Sequence, residues 1–267
     1  MARKSYRVSF PSGNGQERLT GIIDRPDDSE SHPVLVFSHC FTCNKDLKST
    51  VRIARALAEL GVAVLRFDMT GLGGSSGDFS ETNFSTNCDD LKAAIRFAHQ
   101  ELGAVTGLMG HSFGGAASLA LAGDWPAEFA PLRALITLAA PSDTVHLANL
   151  LAKMDPTIES DGVGEVSIGG FQWQIRRATL EDFRQHELTN AITKIQCPTM
   201  VIHSAADTTV SFDHAIRIVG LIQSSPAKSA VSLMSLYEAD HLVSNADDIT
   251  HIANCVASFL VRYASKP

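Results

Sequence analysis

Short, unbroken apolar runs recur along this chain, and each is followed by a stretch with helical spacing. "PVLVFSH" (33–39), "VAVLRFD" (62–68), "AVTGLMGHS" (104–112) and "LRALITLAAP" (132–141) show no regular polar alternation. A strand that is apolar on both faces must be covered on both faces, which is the condition of a parallel sheet with crossover helices. The segments between supply those helices. In "LKSTVRIARALAELG" (47–61), Val51, Ile53, Ala54, Leu57, Ala58 and Leu60 are apolar at helical spacing, and Gly61 is a stop signal. "FSTNCDDLKAAIRFAHQELG" (84–103) reads as an amphipathic helix, and "FGGAASLALAG" (113–123) as a small-residue helix that packs closely on something. The alternation predicts a mainly parallel sheet with right-handed crossovers.

The two ends of the pattern differ from its middle. "YRVSF" and "ERLTGIID" alternate around "PSGNG", as an antiparallel hairpin does. From Ser142 to about Ile195 the rhythm breaks; "GEVSIGGFQWQI" reads as a small hairpin and "TLEDFRQHELTNAI" as a helix. It then resumes with strand "PTMVIHS", helix "FDHAIRIVGLI", strand "AVSLMSLY" and a helix over 246–264. No repeat, low-complexity tract or linker interrupts the chain. The expectation is a single α/β domain over residues 1–267, with a cap insertion at about 142–195 near the C-terminal ends of the strands. Open α/β sheets bind ligands in that crevice.

Charge and cysteine usage narrow the function classes. The net charge is −7 and the basic residues are scattered, which disfavours nucleic acid and anionic membrane as partners. No apolar run approaches the roughly 18–20 residues of a membrane span, and the start "MARKSYRVSFPSGNG" lacks the apolar core of a signal peptide. Five cysteines, an odd number in a chain of 267 residues, fit a reducing compartment better than a disulfide framework. The expected location is the cytoplasm. "GLGGSSG" (71–77) lacks the Lys-Ser/Thr of a phosphate loop, so it is read as a flexible loop after a strand. The sequence leaves the oligomeric state open, a homodimer included.

The sharpest motif is "GHSFG" (110–114), a Gly-x-Ser-x-Gly at a strand-to-helix junction. A serine there is held in strained backbone geometry with its hydroxyl exposed above the sheet, and its neighbours must be small for strand and helix to approach. The bland alternative is a serine capping a helix after a glycine turn. A hydroxyl at its free pKa is a weak nucleophile and needs a base, itself oriented by a third group. Asp207 follows the strand "TMVI", and His241 follows "AVSLMSLY". Each lies just past the C-terminal end of a predicted parallel strand, so Ser112, Asp207 and His241 can converge. Asp143, after the fourth strand, is the reserve acid. Asp240 is not favoured, because adjacent side chains in an extended segment point apart. His39 and His111 flank the site.

In order, "SHCFTCNKD", "LRFDMTGLGGSSGDFSETNF", "LMGHSFGGAA", "APSD", "HSAADTTV" and "DHLVSN" cover nearly the whole chain. The set resembles the α/β-hydrolases, in particular the serine aminopeptidase-like and esterase branch, and the hydrolase half of proteins that fuse such a domain to an OsmC-like one. The resemblance implies an α/β-hydrolase fold with helices on both faces of the sheet. It also implies an oxyanion hole from the backbone N–H groups of Phe41, in the loop after the first long buried strand, and Phe113, after the nucleophile. Cys40 stands where that loop commonly has glycine. Cys40, His111, Ile168, Phe171 and Trp173 are candidate pocket residues; the last three either line an acyl pocket or form only the core of the cap.

Cys40 and Cys43 admit two other chemistries. A redox dithiol wants a helix N-terminus at the first cysteine, and the predicted helix begins later, near Asp46 or Leu47. A zinc site wants two more ligands, and Cys88, Cys197 and Cys255 form no second pair. The favoured reading is two small, semi-buried residues that shape a loop. The functional expectation is a serine hydrolase of short to medium acyl esters, with no metal or organic cofactor and a small-molecule ester as partner. Peptidase-like or thioester hydrolysis on the same triad is the alternative. A thiol-redox protein or a non-catalytic binding protein is the alternative from another class.

Overall fold

The computed structural model describes residues 1–263; Ala264, the last residue of the predicted terminal helix, lies outside the described residues. An antiparallel pair, β1 (Arg3–Pro11) and β2 (Arg18–Pro26), opens the chain. Strands and helices then alternate as β3 (Val34–Ser38), α1 (Lys48–Glu59), β4 (Ala63–Phe67), α2 (Phe84–Leu102), β5 (Val105–His111), α3 (Phe113–Gly123) and β6 (Ala134–Leu138). After β6 come α4 (Val145–Met154), α5 (Thr157–Ser160), the hairpin β7 (Val163–Ile168) and β8 (Phe171–Arg176), α6 (Arg177–Gln185) and α7 (Leu188–Thr193). The main pattern closes with β9 (Thr199–Ser204), α8 (Phe212–Ser224), β10 (Val231–Leu236) and α9 (Ala246–Tyr263).

One sheet of order β1-β2-β4-β3-β5-β6-β9-β10 organises the molecule. The six strands from β4 to β10 are parallel; β2 joins β4 antiparallel. The unbroken apolar runs explain the layers. Successive strand residues point to opposite faces. Val34 and Val36 join the cluster under α2, α3 and α8, while Leu35 and Phe37 join the cluster under α1 and α9. Leu135 likewise falls in the first cluster and Ala134 and Ile136 in the second. Helices therefore cover both faces, and the C-terminal strand ends are left as the rim on which loops gather. Among the described residues, no helix is long and apolar enough to cross a membrane.

Two readings of the insertion need correction. The single helix expected over 179–192 is two, α6 and α7, because His186 leaves helical geometry at ψ 115°. Its ring packs edge-on against Phe84 at 4.6 Å, and its Nε2 lies 3.0 Å from the Ser85 hydroxyl, so tertiary contacts outcompete helix continuation there. α4 was not anticipated, although Ala148 and Leu151, three residues apart, are the residues it buries.

A charge inside an apolar strand marks how the rim is tied to the sheet. Arg66 of β4 is 1% exposed. Its Nε donates to Asp24 (2.8 Å), and its Nη1 donates to the Lys45 carbonyl (2.8 Å) and to Asp46 (3.0 Å). Asp68, fully buried, accepts from the Lys45 amide (2.6 Å), the Lys45 ammonium (2.9 Å), Gly74 N–H (2.8 Å) and Thr20 Oγ1 (3.1 Å). Burial opposes the Lys45 charge, but Asp46 and Asp68 outweigh it and hold the ammonium above its ordinary pKa. The loop after β3 is thus pinned at Lys45 from two sides. Removing one partner of a buried pair strands the other charge, so Asp24→Ala is expected to cost about 3–5 kcal/mol in urea denaturation. Asp46→Ala, at a half-exposed side chain, is expected to cost about 1 kcal/mol or less.

Candidate active site

Ser112 is the only residue between β5 and α3, and it sits at φ 53°, ψ −117°. A left-handed non-glycine residue stores of order 1–3 kcal/mol and persists only where its surroundings hold it. The holding contacts are visible. Ser112 N–H donates to the Leu138 carbonyl of β6 (2.8 Å), and the Ser112 carbonyl accepts from Ala116 (3.1 Å). The glycines of the motif are close-approach residues. A Cβ on Gly110 would lie 2.2 Å from the Gly114 oxygen, and one on Gly114 would lie 2.4 Å from the His39 oxygen. One on Gly115 would lie 2.5 Å from the Ala140 Cβ. Helix α3 therefore starts in backbone contact with the end of β3, which brings the loop after β3 beside Ser112.

Asp207 follows β9 and His241 follows β10 on the same rim. His241 Nε2 is 3.0 Å from Ser112 Oγ, and His241 Nδ1 is 2.7 Å from Asp207 Oδ2. A carboxylate only accepts, so Nδ1 carries the proton and Nε2 is free to accept from the serine hydroxyl. Asp207 Oδ1 accepts from the amides of Thr209 (2.8 Å) and Val210 (3.0 Å). Burial alone would raise the Asp207 pKa; the bonds from His241 and these amides outweigh it and hold the carboxyl below its usual range. The three residues named from sequence thus form one hydrogen-bonded chain. Asp143, the reserve acid, is turned to Arg217 instead, at 3.2 Å.

Two further histidines support this chain from below: His111, named from sequence as flanking the site and as a pocket candidate, and His203, which had no assigned role. His111 is 1% exposed, and its Nε2–H donates to the His241 carbonyl at 2.7 Å. Burial pushes its pKa down to about 4, helped by the neighbouring His241. His111 therefore lies beneath the site rather than on a pocket wall. His203, fully buried, donates from Nε2 to the Val210 carbonyl (2.8 Å), in the turn whose amides bind Asp207; its pKa is lowered by burial. The signal for both was a histidine inside or at the end of an apolar strand.

The loop after β3 departs from expectation at its cysteines. Cys40 and Cys43 are joined as a disulfide, with Cα atoms 5.3 Å apart, while Cys88, Cys197 and Cys255 are free. An odd count in a long chain did not preclude one short-range pair. Cys40 is 4% exposed and is tied into this turn rather than open to a pocket. Within the loop, Met69 N–H donates to His39 Nε2 (3.2 Å), so Nδ1 holds the proton and donates to the Cys40 carbonyl (2.8 Å). Cys43 N–H donates to the same carbonyl (3.1 Å). In a planar trans peptide the N–H points opposite to the C=O. The Phe41 N–H is therefore aimed away from these partners. Among the described residues, neither Phe41 N–H nor Phe113 N–H donates to a protein acceptor. Both belong to segments that meet at the elbow, where the Phe41 and Phe113 rings lie 5.3 Å apart, edge to face.

Rings connect the elbow to the insertion. Phe41 meets Phe79 at 5.5 Å, and Phe79 meets Trp173 of β8 at 4.8 Å. Trp173 is half-buried and donates from Nε1 to the carbonyl of the half-buried Ile168 (3.2 Å). Phe171 is 69% exposed and reaches inward only through Trp173, 6.5 Å away, because the hairpin turn carries it outward. Of the three insertion residues named from sequence, Trp173 joins the ring contacts Phe79–Phe41–Phe113, and Ile168 also packs against that core cluster.

His111 makes stability depend on pH in a definite direction. Its folded pKa is depressed, so its contribution is complete above the unfolded value near 6.5 and is lost as pH falls toward about 4. A depression of this size corresponds to roughly 3 kcal/mol. His111→Gln, which keeps a donor but does not titrate, is expected to flatten the loss of urea stability between pH 6.5 and 4.

Comparison with known proteins agrees with this geometry. The profile of the prolyl oligopeptidase family matches residues 49–267. The crystal structure of an esterase domain from a Rhodothermus marinus protein is 33% identical and superposes with a TM-score of 0.72, covering 98% of this chain and 99% of that one. Est1E from Butyrivibrio proteoclasticus, solved with ferulic acid, is 19% identical with a TM-score of 0.79 over 97% of this chain and all of that one, a likeness of fold. Among curated proteins, rat mitochondrial palmitoyl-protein thioesterase ABHD10 is 23% identical, covering 98% of this chain and 89% of that protein. Zebrafish lysophosphatidylserine lipase ABHD12 is 24% identical over 198 residues, 73% of this chain; the match spans about half, 48%, of that protein's length. The elbow and its rim are thus those of an α/β-hydrolase, and the chain belongs to the prolyl oligopeptidase family as a hydrolase of esterase or peptidase type.

Proposed function

We propose that this protein is a serine hydrolase that cleaves carboxylic esters of short to medium acyl chain through an acyl-enzyme on Ser112. The observation that carries this reading is the continuous hydrogen-bonded chain Ser112–His241–Asp207 at a left-handed elbow. In the first half-reaction His241 Nε2 takes the Ser112 proton as Oγ attacks the ester carbonyl. Asp207 keeps the imidazole in the required tautomer and stabilises the imidazolium; its lowered pKa keeps it ionised at neutral pH. The amides of Phe41 and Phe113 receive the charge that develops on the carbonyl oxygen. A donor of this kind contributes roughly 3–4 kcal/mol, because the charge exists only in the transition state. His241 then returns its proton to the departing alcohol. In the second half it draws a proton from water, which attacks the acyl-enzyme, and releases Ser112. The residues of the site account for each step without a metal or cofactor.

The rings of Phe41, Phe79 and Trp173 beside the elbow favour an acyl group of modest size over a long peptide. Thioester hydrolysis is the second reading, supported by the rat thioesterase that aligns with 98% of this chain. Turnover of a p-nitrophenyl ester series from acetate to palmitate, beside the matching acyl thioesters, separates the two. The expected result is greatest kcat/KM for short and medium oxygen esters; a preference for long-chain thioesters moves the second reading to the front. Ser112→Ala is expected to lower kcat by at least about 10⁴-fold, and Asp207→Asn by about 10²–10⁴-fold. Undiminished turnover in Ser112→Ala contradicts the proposal.

A further inference from the structure

Ester cleavage needs an amide aimed at the oxyanion, but nothing in that chemistry calls for a covalent bond around it. Here Cys40 and Cys43 bracket Phe41 and Thr42 and are bonded to each other. The bracketed turn is not a relaxed one. Thr42 lies at φ 58°, a left-handed setting that disfavours β-branched residues. Its hydroxyl donates to the Phe41 carbonyl at 2.6 Å. The direction of the Phe41 amide follows from the Cys40 carbonyl, held by Cys43 N–H and His39 Nδ1–H. The disulfide fixes the distance across which the first of those bonds forms. Downstream, Lys45 is anchored by hydrogen bonds and an ion pair to Asp68 and by a hydrogen bond from Arg66, not by a covalent tie.

We propose that the Cys40–Cys43 disulfide is a positioning element of the oxyanion hole, and that its reduction by a dithiol lowers the rate of acyl transfer. The inference rests on the serine-hydrolase reading above. Cys43 is half-buried while Cys40 is buried, so an incoming thiolate reaches Cys43 Sγ. It forms a bond to that sulfur, the Cys40–Cys43 bond breaks, and Cys40 departs as a thiolate that takes a proton. The second thiol of the reductant attacks the mixed disulfide and frees Cys43. Two electrons and two protons pass to the cysteine pair, and the dithiol leaves as its cyclic disulfide. The loop then loses the constraint that holds Cys43 N–H within reach of the Cys40 carbonyl, so that bond loosens and the Phe41 amide samples other directions. Burial pushes the Cys88 and Cys197 thiols up to about 12, which leaves them poor exchange partners for the pair.

The test compares oxidised protein with protein reduced by dithiothreitol and freed of reductant under anaerobic conditions. Completion of reduction is read as a rise from three free thiols to five. Losing one oxyanion donor costs about 10²–10³-fold in kcat, and a loosened donor is expected to cost about 10–100-fold, with KM changed less than about two-fold. Reoxidation is expected to restore the rate. Cys43→Ser is expected to show the low kcat from the outset and no response to dithiothreitol. Circular dichroism separates this from unfolding. An unchanged kcat at five thiols overturns the proposal, as does a rise in KM alone, or a loss of rate that follows loss of folded structure. If no ester is turned over, the rate of fluorophosphonate labelling of Ser112 takes the place of kcat. Slower labelling on reduction then supports the positioning role even as the ester reading fails, and equal labelling overturns it.

Discussion

A left-handed serine squeezed between a buried strand and a buried helix is the constraint on which the rest of this structure depends. Ser112 keeps φ 53° because β6 accepts its amide hydrogen and because three glycines let α3 lie directly against β3, β5 and the start of the β6–α4 loop. The same close approach delivers the loop after β3 to Ser112. A side chain at Gly110 or Gly114 would push the helix off the strand and separate the Phe41 segment from Ser112. Strain at one residue and proximity of two loops are therefore one structural fact. The parallel sheet supplies the remainder by ending every strand on one rim, so that residues distant in sequence arrive at the same place.

The site's electrostatics are set by which histidines stay neutral. His39, His111 and His203 are buried, and burial lowers the pKa of each. Each spends a ring N–H on a backbone carbonyl: Cys40 for His39, His241 for His111 and Val210 for His203. Those carbonyls belong to the Cys40–Cys43 turn, the His241 loop and the turn that binds Asp207. Neutral imidazoles thus orient all three rim loops without placing positive charge beside His241. The charged pairs are kept lower down, where Arg66 and Lys45 meet Asp24, Asp46 and Asp68 and fasten the rim to the sheet.

What could be read from sequence divides along physical lines. Strands β3 to β6 and β9 were legible because burial on both faces leaves an unbroken apolar run; Ser112 was legible because it closes such a run inside Gly-x-Ser-x-Gly, and Asp207 and His241 because each lies in the loop a few residues past a strand. The break between α6 and α7 was not legible, since it is decided by contacts of His186 with Phe84 and Ser85, about a hundred residues away. His111 was placed beside the site, but its bond to the His241 carbonyl and the role of His203 were hidden for the same reason: a carbonyl partner has no signature in composition or spacing. Arg66 inside "VAVLRFD" was a visible anomaly, and its explanation needed the partner on β2. Cys40 and Cys43 do shape a loop, but their bond to each other was not anticipated, because a following helix start and a second ligand pair say nothing about a disulfide within a turn. The bond instead belongs to the turn itself, where two cysteines three residues apart come within reach.

The most direct test of the central claim is to trap the covalent intermediate. Protein mixed with p-nitrophenyl acetate and quenched in acid within the first turnovers should carry one acetyl group in its intact mass. Peptide mapping should place it on Ser112, and the adduct should be missing from Ser112→Ala. Ester turnover with no acyl adduct, or with the acetyl group on Cys43, His241 or any residue other than Ser112, would contradict the mechanism described above.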